Sequence, residues 1–252
     1  MEMISSFYTE AAEPFVIAEY NVSEVVSRQI TLYRNGNAQT LKEGADYSVK
    51  EERLSSGMKY ICSIDPAAFC EEGRYSLLVE SEDEAGNYCR STGRFSAGTE
   101  YSPSWAVDRT CPSVRIIEPD GERNRFTTDS VTVRLVPSDN MELQRLTAKI
   151  TDEDGNIVEQ HVFEQEELLA IMERSGGEVP ITVRASSKWQ TLSAEAVDGA
   201  GNSSGEGDEY RVLVTSNLMV HLYRSGILPA IAFLALILAI RFGYSVYKHT
   251  LA

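Results

Sequence analysis

Basic residues are scarce in this chain: 23 Lys and Arg stand against 38 Asp and Glu in 252 residues, a net charge of −15. Arg224, Arg241 and Lys248 are the last three, and no acid follows Asn217, so the first 217 residues hold 20 basic against 38 acidic side chains, net −18. A surface of that sign repels polyphosphates and anionic headgroups, which sets aside nucleic acid and anionic lipid as ligands. The four cysteines (Cys62, Cys70, Cys89, Cys111) have no C-x-x-C spacing and no neighbouring histidine, which argues against zinc. They admit three full pairings. Cys62 and Cys89 meet if their strands approach, and the alternative is small buried thiols. Residues 1–13 lack a basic stretch followed by an apolar one, so they are no secretory signal; the chain is either not exported or continues further upstream.

Catalytic patterns are equally thin. Gly201-Asn202-Ser203-Ser204-Gly205 matches G-x-S-x-G, but that motif needs a strand-to-helix turn, and here it falls in a predicted hairpin. His221 and His249 lie beside or beyond an apolar segment, so no triad assembles. We assign no catalytic residue and expect no enzyme. The acidic clusters at 80–84, 152–154 and 206–209 lack the alternate ligand spacing and twelfth-position glutamate of an EF-hand. Asp83, Asn87, Asp108, Asp198 and Asn202 are the weak candidates for calcium, the one cofactor considered; solvated turns are the plainer reading.

What the chain does contain is a repeat. Arg74–Asn87 (RYSLLVESEDEAGN) returns as Trp189–Asn202 (WQTLSAEAVDGAGN), 115 residues later. Tyr75, Leu77, Val79 and Ser81 align with Gln190, Leu192, Ala194 and Ala196, and alternation with period two marks a strand with one buried face. Each copy ends in a turn: Asp83, Gly86 and Asn87, then Asp198, Gly201 and Asn202. The glycine supplies positive φ there, and the Asp and Asn side chains bond their own backbone. Turn signals every 8–12 residues, including Asn35-Gly36 and Asp152–Asn156, predict an all-β chain of two tandem Ig-like β-sandwiches. The expected boundaries are 1–13 for a leader or remnant of a preceding strand, 14–97 for the first sandwich, 98–112 for a Gly/Ser/Pro-rich linker, and 113–216 for the second sandwich. Gln165–Arg174 breaks the pattern as one or two helical turns closed by Gly176-Gly177.

The motifs ESEDEAGN, EAVDGAGN and VDRTCP resemble the bacterial Ig-like repeats of Gram-positive cell-surface proteins, which end a strand in D-x-A-G-N and join copies through a D-x-T-A-P-like linker. Cys111 departs from the small residue usual in that linker. The resemblance covers about residues 14 to 215 and implies a non-enzymatic surface module.

Gly226–Ile240 carries no charge, and an apolar stretch precedes it, so 218–244 is expected to be a single transmembrane helix and 245–252 a short cytoplasmic tail. Tyr223, Arg224, Arg241, Tyr244 and Lys248 flank it as interfacial aromatics and snorkelling cations. Arg241 and Lys248 against Arg224 place the C-terminus in the cytoplasm and the sandwiches outside. The expected partners are the lipid bilayer and another surface protein or a glycan. The competing expectations are a spacer of an extracellular hydrolase and a tail-anchored cytoplasmic scaffold.

Overall fold

Alternating sequence becomes strand throughout most of the chain. A computed structural model describes residues 7–10, 13–91, 93–94, 100–101, 104–119, 124–205 and 207–250. Its strands are β1 (Phe7–Tyr8), β2 (Phe15–Asn21), β3 (Val25–Arg34), β4 (Asn37–Thr40), β5 (Tyr47–Leu54), β6 (Gly57–Ile64), β7 (Gly73–Asp83), β8 (Tyr88–Arg90), β9 (Gly93–Arg94), β10 (Glu100–Tyr101) and β11 (Ser104–Val107). The series continues with β12 (Ser113–Ile117), β13 (Arg125–Phe126), β14 (Ser130–Ser138), β15 (Leu143–Asp152), β16 (Ile157–Glu164), β17 (Val179–Arg184), β18 (Gln190–Asp198) and β19 (Glu209–Val214). The helices are α1 (Gln165–Ser175), α2 (Leu218–Arg224) and α3 (Ile227–Thr250). The chain divides into two compact units, 1–110 with 199–202, and 111–198 with 203–252.

In the first unit one sheet runs β1-β11-β7-β3-β4, with β8 also on β7, and a second runs β2-β6-β5. Both give side chains to one core: Ile30, Leu32, Leu77 and Val79 from the first sheet, Cys62 and Ile64 from the second. Tyr75, Leu77, Val79 and Ser81 are all buried, as their alternation demands. Asn35 and Gly36 both have positive φ (49° and 81°) and join β3 to β4 across the register pair Arg34–Asn37. Two such residues make a type I′ turn, whose twist matches that of the strands.

The structure departs from the expected linker. Ser104–Val107 is a strand antiparallel to β7, all four residues are buried, and Trp105 is central to the core. Glycine, serine and proline around it hide four residues that need only a neighbouring strand to be paired. After the turn that ends β7 the chain holds β8 and β9, and residues 92 and 95–97 lie outside the described ones.

The second unit packs the sheet β12-β14-β17 against β13-β19-β18-β15-β16. Val133, Leu135, Ile181 and Val183 from one sheet meet Leu146, Ile150, Leu192 and Val212 from the other. Gln190, Leu192, Ala194 and Ala196 are again buried. The helical stretch forms as α1, which buries Leu168 and packs Ile171 and Met172 on the core. Glu166 and Glu167 in its first turn and Arg174 in its last complement the helix dipole. Gly176 (φ 71°) ends it in the left-handed conformation that favours glycine.

The expected single span is broken. The Asn217 carboxamide oxygen caps α2 by accepting from the N–H groups of Met219 and Val220, while Gly226 (φ 80°) ends the turn before α3 begins. The two helix segments, Leu218–Arg224 and Ile227–Phe242, bend by 70°. Among the described residues no single helix is long and apolar enough to cross a membrane; only the bent pair together meets that length and composition.

Candidate functional site

The D-x-x-G-N turns are built from their own side chains. Asp83 Oδ1 accepts from the Asn87 N–H at 2.8 Å, and Oδ2 accepts from Asn87 Nδ2 at 2.9 Å and Ser23 Oγ at 3.0 Å. The backbone closes around them, Gly86 N–H to Asp83 O at 2.9 Å and Asp83 N–H to Asn87 O at 3.1 Å. Asp152-Glu153-Asp154-Gly155-Asn156 repeats this arrangement: Asn156 N–H and Nδ2 both donate to Asp152, and Gly155 N–H donates to Asp152 O. Asp152–Asn156 thus joins β15 to β16 through the same D-x-x-G-N pattern that ends β7. Asp198, Gly201 (φ 90°) and Asn202 form the third turn, but there Asn202 Nδ2 donates to the Asp108 carbonyl at 3.1 Å. The Asp83 and Asp152 carboxylates are thus largely committed to turn geometry.

These bonds also set the acid response. The Asn87 side chain, then its backbone N–H, holds the Asp83 carboxyl below its ordinary value, and Asn156 holds Asp152 well below the carboxylate range. Lys188 donates to Asp152 at 3.1 Å and Asp154 at 2.6 Å, and Asp154 raises the Lys188 ammonium. A carboxyl depressed in the folded state stabilises the fold above its unfolded value, near pH ~3.9, and that contribution is lost as pH falls through the folded value. The melting temperature is therefore expected to fall between pH 5 and 2, less steeply in Asp152→Asn. Parallel curves for the two proteins would show that the turn is not the titrating element.

Of the other calcium candidates, Asp108 is buried and its Oδ1 accepts from the Thr110 N–H at 3.1 Å, and Asp198 is buried at the end of β18. In the second unit Asp139, which the sequence did not single out, brings a carboxylate oxygen within 4.8 Å of one from Asp198. Asp139 Oδ2 meanwhile accepts from the Met141 and Glu142 N–H groups.

The suggested Cys62–Cys89 bridge is not formed. Cys62 is buried on β6, where desolvation pushes its thiol up, while Cys89 is exposed on β8; Cys70 and Cys111 are free and exposed as well. Ser203 of the G-x-S-x-G stretch donates to Glu195 Oε1 at 2.6 Å and lies in an extended segment rather than at the start of a helix. Tyr75 locks the start of β7 by donating its hydroxyl to Glu71 O at 2.6 Å, the tyrosine-corner arrangement. Trp105 is no exposed sugar platform: it stacks on Phe15 (4.5 Å) and Tyr75 (5.6 Å) inside the first core.

An open cleft of about 690 Å³ runs beside the edge strand β4 in the first unit. Arg34, Asn37, Gln39, Asp46, Asp65 and Glu71 give it a mixed-charge polar lining, suited to hydroxyl and amide groups more than to apolar ligands.

At the C-terminal end Arg224 is not free to snorkel, since it forms a bidentate pair with Glu153 (Nη1–Oε2 3.0 Å, Nη2–Oε1 2.6 Å). Tyr223 and Arg241 are exposed. Tyr244 and Lys248 lie on α3, but their side chains are outside the described residues. Along the described part of α3 the apolar side chains Phe233, Leu234, Leu236, Leu238, Ile240 and Phe242 are all exposed.

No family model matches the chain, and no curated protein matches it. Solved structures similar to it include the tetra-tandem repeat in the extending region of a large adhesion protein (15% identity, TM-score 0.38, 85% of this chain and 48% of that one). Others are Dpr2 Ig1-Ig2 in complex with DIP-Theta Ig1-Ig3 (11% identity, TM-score 0.32, 85% and 64%), and the N-terminal Ig1-2 module of the Drosophila receptor protein tyrosine phosphatase DLAR (12%, TM-score 0.22, 81% and 99%). The chain thus spans about half of the first structure and under two thirds of the second. The likeness is loose at these scores, and the fold stands on the strand pairings of the chain itself.

Proposed function

We propose that this chain is a non-enzymatic surface module: two Ig-like β units held to a membrane by the C-terminal helices, displaying further domains or meeting a partner outside the cell. The observation that carries this reading is the uncovered apolar helix. Phe233 is 66% and Phe242 74% exposed, and the residues between them are apolar all round up to Arg241. A helix without a polar face needs an apolar solvent, and lipid is the one available to it. Ile227–Phe242 reaches ~24 Å at 1.5 Å per residue, short of a ~30 Å hydrocarbon core, a mismatch that local thinning of the bilayer meets while Glu153 holds Arg224 of α2 beside the second β unit.

Pairing with Glu153 keeps Arg224 beside the second β unit, and Arg241 and Lys248 follow the apolar stretch, a Lys/Arg excess that supports a cytoplasmic C-terminus. The β units then face outward, where net charge −18 over the first 217 residues keeps neighbouring copies and anionic headgroups apart. The polar cleft beside β4 is the place for a glycan or a polar peptide loop. Protease added to intact cells tests the orientation: residues 1–217 are expected to be digested and the C-terminal helices protected. Full protection of the β units would favour a tail-anchored cytoplasmic scaffold instead.

A further inference from the structure

The seven residues of α2 cannot cross a bilayer, yet both its ends are held by the second unit. β15 and β19 run toward the same end of their sheet, marked by the register pairs Asp152–Gln190 and Gln190–Val212. β19 stops there at Val214; Thr215, Ser216 and the capping Asn217 then lead into α2. The other end of α2 is fixed by the bidentate pair of Arg224 with Glu153, in the turn that follows β15. β18 lies between β19 and β15, so two strand spacings, or ~9.6 Å, separate them, and seven residues of helix rise ~10.5 Å. α2 therefore runs across the strand ends, under β19, β18 and β15.

Its two faces differ. Leu218, Met219 and Tyr223 are 61%, 65% and 63% exposed and share one side of the helix, with half-buried Leu222 between them. Val220, His221 and Arg224, on the opposite side, are all half-buried. α3 leaves at a sharp corner, made at Gly226 with φ 80°. Because the two axes meet at 70°, α2 is inclined by only about 20° to the membrane plane once α3 stands along the bilayer normal.

We propose that α2 is an interfacial foot: it lies flat where headgroups meet acyl chains, with Leu218, Met219 and Tyr223 turned into the lipid, and the second unit stands on it with its strands close to the bilayer normal. This rests on the membrane reading above, and the partner is a zwitterionic lipid surface. An apolar face with a tyrosine at its edge suits that boundary, where the ring is buried and the hydroxyl stays wet. The acidic turn nearest the lipid does not oppose the contact. Lys188 meets Asp152 and Asp154 there, and Arg224 meets Glu153, so most of its charge is offset on the spot.

The full chain reconstituted in phosphatidylcholine vesicles tests this. Met219→Trp and Tyr223→Trp each add an indole at an exposed position, read above the baseline of Trp105 and Trp189. The two positions lie about 40° apart around the helix but ~6 Å apart along it, so they share one depth only when the axis lies in the membrane plane. Lipid brominated in the upper acyl chain, beside the headgroups, is expected to quench the added emission of both variants to the same extent, and lipid brominated near the chain ends to quench both less. Quenching clearly stronger for Tyr223→Trp than for Met219→Trp means that α2 continues the span, and overturns the proposal. No quenching of the added emission in a chain that still floats with the vesicles leaves α2 in water; the foot is then lost while the anchor stands. A chain that does not float removes the anchor, and the foot with it.

Discussion

Leu234→Arg is expected to release the full chain from membranes. Leu234 is exposed near the middle of the apolar stretch Ile227–Phe242, with Leu236, Ile237 and Leu238 following it. At a helix centre the change from Leu to Arg costs roughly 3–4 kcal/mol of insertion free energy, a shift on the order of 10²–10³-fold in partition. The stretch is already short, so there is no second register in which the guanidinium reaches an interface without dragging apolar residues into water. Flotation with neutral phosphatidylcholine vesicles reads the partition, and Thr182→Arg, on an exposed position of β17, should float like wild type. A Leu234→Arg protein that floats with the wild type would remove the helix as the anchor, and with it the surface reading.

The parts of this molecule that could be read from its sequence are those fixed by local chemistry. Alternation in β7 and β18, positive φ at Asn35-Gly36, and the Asp–Asn bonding of the turns each depend on a few adjacent residues, and each appears where the residues called for it. Ser104–Val107 could not be read the same way. Four residues carry no usable period, and their burial comes from β7 and β1 on either side, far away in sequence. The break at Gly226 escaped for another reason: counting apolar residues weighs composition, whereas the bend is set by one glycine at φ 80° after a helix already capped by Asn217. Arg224 looked like a snorkelling cation because its partner Glu153 is 71 residues away.

Trp105→Ala is expected to be the most damaging single change in the first unit. The indole is 2% exposed, stacked on Phe15 and Tyr75 and met edge-on by Phe69 at 5.5 Å, so its removal opens a cavity at the junction of both sheets. Aromatic-to-alanine truncations in such sites cost ~3–5 kcal/mol, against a total stability of ~5–15 kcal/mol for a domain. With a urea slope of ~1–3 kcal/mol per molar, the first unit's midpoint should drop by roughly 2 M. Hydrogen exchange is the suitable probe, since it reads each unit separately: amides of β3 and β7 are expected to exchange on the order of 10³-fold faster, while those of β15 and β18 keep their protection. Trp105→Phe separates stacking from the rest of the indole. Among the described residues the buried Trp105 Nε1 meets no hydrogen-bond acceptor, and an unmet donor in that position costs ~1–3 kcal/mol. Phenylalanine keeps a ring against Phe15 and Tyr75 and removes that donor, so it should lose well under half of what alanine loses. Alanine and phenylalanine variants with equal midpoints would mean that the ring stack is not what holds β11 in the sheet.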